Sequence, residues 1–73
     1  MTYEQAKFHV ENLEQDCMYR FEYMVSKGKL EIFEGTFERM ALEDKVLLLY
    51  FRIPKIGVSS YNVVRILRIQ EVK

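Results

Sequence analysis

Little in this chain lends itself to covalent staples or unusual backbone geometry. Its 73 residues include one cysteine, one proline, three glycines, one histidine and no tryptophan. A lone Cys17 cannot close an internal disulfide, which favours a reducing compartment, and the expected localisation is cytoplasmic. So few glycines and prolines exclude a linker-like or disordered chain. His9 and Cys17 would lie two helical turns apart, about 12 Å, beyond the reach of a nucleophile–base hydrogen bond. Cysteine and histidine show no metal-ligand spacing, and no glycine-rich loop could cradle phosphate. Ser59, Ser60 and Tyr61 have no base beside them in sequence and read as turn residues. The expectation is therefore a non-enzyme with no catalytic residue, metal, cofactor or small-molecule substrate. The longest apolar run, VLLLYF at 46–51, is too short to span a bilayer. The opening MTYEQAKFHVENLEQD is charged throughout and has no apolar core, so neither a signal peptide nor a membrane partner is expected.

What the chain does have is core material. Hydrophobic residues make up 49% of it, with five Tyr and five Phe, enough for one small domain over 1–73. Net charge is zero but unevenly spread. Residues 1–44 carry five basic and ten acidic groups, net −5, and residues 45–73 carry six basic groups against Glu71, net +5. Either the two halves present opposite surfaces to partners, or strands from both interleave and mix the charges. The second is the commoner outcome in a sheet.

Periodicity divides the chain into elements. Thr2 and Gln5 have capping-box spacing, and Tyr3, Ala6, Val10, Leu13 and Cys17 recur at intervals of three and four. They predict an amphipathic helix over about 3–16. From Met18 the period becomes two, predicting strands near 18–25, 29–39, 46–53, 58–61 and 65–72. SKGK at 26–29, ALEDK at 41–45 and PKIG at 54–57 read as turns, with a 3₁₀ piece near Asn62. In IFEGTFERM, residues 32–40, apolar side chains stand on even positions at Leu30 and Ile32 but on an odd one at Phe37. A one-residue slip exchanges the faces of a strand, so a bulge or sharp bend is expected at Gly35. VLLLYFRI is apolar on both faces, as a central strand would be. The assembled expectation is an α+β domain. One N-terminal amphipathic helix packs on a strongly bent antiparallel meander of four or five strands, able to close as an SH3-like or Sm-like small barrel, with an open sheet carrying the helix across one face as the alternative.

GTF at 35–37, then Met40, an acidic turn and an apolar strand together resemble the first motif of Sm-like RNA-binding proteins. Ala41 stands where that motif has its Asp, and its Asn is missing, so the resemblance concerns architecture and departs at the positions that would touch RNA. The leading functional expectation is a small interaction or regulatory module that binds a protein partner or itself. Phe8, opposite the apolar stripe of the expected helix, and Arg52, Lys55, Arg65 and Arg68 are its candidate contacts. The alternative partner is nucleic acid, bound by a basic and aromatic surface of Arg65, Arg68 and Tyr61.

Overall fold

Alternating side chains and tight turns build five antiparallel strands in the computed structural model, which describes residues 13–72. They are β1 (Met18–Ser26), β2 (Lys29–Glu43), β3 (Val46–Ile53), β4 (Gly57–Asn62) and β5 (Ile66–Glu71), in the order β4-β3-β2-β1-β5. Gly28 supplies the positive φ of the first turn, at 77°. Asp44 and Lys45 supply the second, at 48° and 66°, so β2 runs to Glu43 and the turn shrinks to two residues. The 3₁₀ turn expected near Asn62 is present at Val63–Arg65, and Asn62 Oδ1 accepts the Val64 N–H at 3.1 Å.

Three expectations need correction. The described residues contain no α-helix, so the α+β assignment gives way to an antiparallel β-sheet. Most of the expected helix, 3–16, lies outside the described residues. Its last residues do not continue it, because Asp16 has a φ of 68° and its N–H donates to Phe37 O at 2.9 Å. Leu13 and Cys17 reach the core from non-helical chain. Second, the sheet does not close into a barrel: β4 and β5 are its two edges and do not pair with each other.

Third, the register shift in β2 is not at Gly35. Phe33, Gly35 and Phe37 all turn inward, and the register shift falls between Phe37 and Arg39, leaving Glu38 as the extra residue. Inward-facing positions are odd before Glu38. After it Met40 and Leu42, opposite buried Leu49 and Leu47, take that face. Leu30 and Ile32 misled the parity reading because they point outward, 50% and 66% exposed. Gly35 has another task. A Cβ there would lie 2.5 Å from Ile53 Cδ1 and 2.9 Å from Arg52 O, so β3 itself makes the close approach. This crowding falls where β2 exchanges neighbours, since Thr36 is in register with both Met18 of β1 and Arg52 of β3.

Aromatic side chains from four strands meet at the centre. Phe21 and Phe51 are fully buried and stacked at 4.6 Å, and Tyr61 meets Phe21 edge-on at 4.9 Å. Phe37 lies 5.5 Å from Phe51. Each such pair adds about 1 kcal/mol beyond simple burial. The outer face of β3 is less dry than its sequence implied: Val46 is exposed, while Leu48 and Tyr50 are half-buried. Arg39 lies over the Tyr50 ring at 3.8 Å.

Gly35→Ala is expected to destabilise the protein by about 1–3 kcal/mol in urea titration, because a backbone carbonyl cannot rotate away from the new methyl. Trimming Ile53 to Val in that background should recover only part of the loss. Full recovery would show that Arg52 O is not the obstacle.

Candidate functional site at the β4 edge

Charge is mixed across the sheet. Arg52 pairs with Glu38, Arg68 with Glu22 at 3.7 Å, and Arg20 with Glu34 at 3.4 Å. The first two join the basic C-terminal part of the chain to the acidic N-terminal part, as interleaving strands require. Arg52 and Lys55 lie beside the start of β4, Arg65 follows its end, and Arg68 sits on the opposite edge strand. Phe8 lies outside the described residues. The structure thus brings three of the candidate cations to the borders of β4 and leaves Arg68 apart.

Tyr61 is in the core, 7% exposed, against Phe21, Tyr23 and Phe33. Its ring has no free face on which a base could stack. Burial pushes its phenol above the ordinary value, and a hydrogen bond with Ser59 opposes that only in part. Cys17 is half-buried against the core. Desolvation and the Glu14 carboxylate beside it, 3.7 Å from Sγ, push its thiol up as well, away from the reactive thiolate.

The outer face of β5, β1 and β2 holds a depression of about 110 Å³ lined by Arg20, Phe21, Glu22, Ile32, Arg68 and Gln70. It is small beside the 300 Å³ or more typical of ligand pockets. Both of its arginines are also engaged by carboxylates. Among the described residues no group of three or more His, Cys, Asp or Glu could hold a metal ion, and no helix is long and apolar enough to cross a membrane.

The edges of the sheet differ. An unpaired strand presents free N–H and C=O groups, and charged side chains normally guard it against pairing. β5 carries Arg68 and Glu71. The open half of β2 before Gly35 carries Lys29, Glu31 and Glu34, and the half after it Glu38, Arg39 and Glu43. β4 carries no charge. It lies within Ile56–Val64, nine residues long and the longest uncharged run in the chain. Ile56 and Val58 are 63% and 57% exposed. The Asn62 N–H donates to Tyr23 Oη at 3.2 Å rather than to β3. Alternation along the strand then directs the N–H and C=O of Ser60 and Val58 to the open side. Sequence reasoning places a strand at 58–61 and expects an open edge unless the meander closes, but does not identify this strand as the edge. The signal for it is the uncharged run itself.

Comparison with known proteins finds no matching family model, curated protein or solved structure. The functional reading therefore rests on the geometry of this chain.

Arg52→Ala is expected to cost about 1 kcal/mol in chemical denaturation, because Glu38 Oε1 is buried and has no hydrogen bond besides this ion pair. In a double-mutant cycle with Glu38→Gln the two losses should be less than additive; simple additivity would deny the coupling. The raised Tyr61 phenol gives a second expectation. Its contribution to stability is fully present below the unfolded-state value of 10.0 and is lost as pH rises through the folded-state value. Stability measured against alkaline pH should decline less steeply in Tyr61→Phe than in the wild type, and equal slopes would contradict the shift.

Proposed function

We propose that this protein is a non-enzymatic interaction module that takes up an extended segment of a protein partner at an open edge of its sheet. The observation that carries this reading is β4, an edge strand without charge, proline or bulge, whose neighbours Ile56 and Val64 and own Val58 are exposed aliphatics. Strand addition uses the physics that builds the sheet: backbone hydrogen bonds give affinity, and alternate side chains give selectivity. Arg52, Lys55 and Arg65 border this edge and become its polar rim. A cytoplasmic setting agrees with the single free Cys17.

Nucleic-acid binding has less support. Its aromatic candidate is buried, Arg68 is engaged by Glu22, and the domain has no net positive charge to draw phosphates.

Panning a displayed random-peptide library against the wild type and against Val58→Lys tests the reading. Val58 is exposed, so the variant should fold, and a charge on the edge should remove the selected peptides. Peptides that bind both proteins equally would place the site elsewhere. Recovery of none, with steeply salt-dependent binding of single-stranded oligonucleotides, would replace this reading with the nucleic-acid one.

A further inference from the structure

The charges around β4 say what kind of segment it would accept, an inference that rests on the strand-addition reading above. No acidic residue occurs between Lys45 and Glu71 in sequence, so β4 and both of its connections are free of carboxylates. Lys55, exposed in the turn before β4 with a φ of 71°, forms no ion pair among the described residues. Nor does Arg65, exposed at the end of the 3₁₀ turn after it. Arg52, in register with Val58, remains largely exposed although it pairs with Glu38. An uncharged strand of six residues, about 20 Å long, thus lies between two free cations.

We infer that the β4 edge binds an extended peptide with an uncharged core of β-forming residues and acidic residues at both ends. The backbone groups of Val58 and Ser60 pair with the core, while Lys55 at one end and Arg65 at the other meet the carboxylates. The uncharged centre imposes no charge requirement on the core, and the cations at the ends reject basic flanks.

A second copy of this chain fits less well. A two-fold contact that matched the free groups of β4 would set Val58 opposite the second copy's Ser60. Lys55 of each copy would then lie beside Arg65 of the other at both ends, where like charges repel. Single-stranded nucleic acid would supply negative charge but finds no exposed aromatic in β4 on which to stack, since Tyr61 is buried.

The test is an NMR titration of the ¹⁵N-labelled full chain with two synthetic peptides that share an alternating Val/Thr core and carry glutamates or lysines at both ends. The glutamate-flanked peptide should shift the Val58 and Ser60 amides and slow their hydrogen exchange. The lysine-flanked one should bind about tenfold more weakly, as expected for reversing a few exposed charge pairs. In Lys55→Glu/Arg65→Glu the preference should invert. Ser60→Pro, which removes a free edge N–H, should abolish binding. If that variant does not fold, a glutamate-flanked peptide N-methylated in its core should fail to bind the wild type.

Equal affinity for both peptides, or shifts confined to β5 or β2, would overturn the inference while leaving strand addition standing. Absence of any peptide binding would remove both readings. A concentration-dependent dimer that buries β4 in the protein alone would assign the edge to a second copy instead.

Discussion

The close passage of β2 against the end of β3 governs this sheet. At Gly35 there is no room for a methyl between β2 and the Arg52 carbonyl, and at Thr36 the strand is in register with both of its neighbours at once. One residue later, Phe37 accepts from the Asp16 N–H and donates to Cys17 O while facing Phe51 in β3. Before this point β2 pairs with β1, and after it with β3. One strand thereby serves two pairings, and curvature brings Tyr61 of β4 against Phe21 and Tyr23 of β1, strands that are not neighbours in the sheet. A side chain at position 35 would force β2 and β3 apart between Phe33 and Phe37, which both belong to the aromatic core.

Much of this was legible from period-two alternation, because side-chain direction in a strand follows from geometry alone. Tyr19, Phe21 and Tyr23 declared the inner face of β1, and SKGK declared its turn. The faces of β2 were not legible in the same way. Leu30 and Ile32 are aliphatic yet exposed, and sequence carries no mark that separates an exposed aliphatic from a buried one. The bulge at Glu38 was displaced onto Gly35 for that reason: a glycine is visible as a bend-former, whereas a glutamate held in a bulge beside an arginine is not. At the other end, Leu13 and Cys17 suit a helical stripe and a buried position equally well. The backbone bonds of Asp16 and Cys17 to Phe37, twenty or more residues away in sequence, settle the conformation at Cys17.

Interleaving also decides what kind of recognition this domain can support. The ion pairs Arg52–Glu38 and Arg68–Glu22 cross between the two charge blocks of the sequence. The apparent −5 and +5 halves therefore produce a mixed surface rather than a field that could steer a highly charged partner from a distance. What survives is local. Lys55 and Arg65, which form no ion pair among the described residues, stand at the two ends of β4, and that strand is an edge of the sheet with no charge of its own.

An unguarded edge is a hazard unless its chemistry limits what can join it. Aggregating segments combine strand propensity with continuous hydrophobicity and low charge. β4 has the third of these properties but lacks the second, because Ser59, Ser60 and Asn62 interrupt its apolar residues, and only Val58 and Tyr61 are strong strand formers. Its inward-facing Tyr61 is already committed to the core, so a joining strand gains backbone hydrogen bonds and an exposed valine but little further apolar burial. Pairing by backbone alone is weak and reversible, and two flanking cations then have enough leverage to choose among segments of similar shape. The polar residues Ser59, Ser60 and Asn62 are the ones that let β4 remain open without making it indiscriminate.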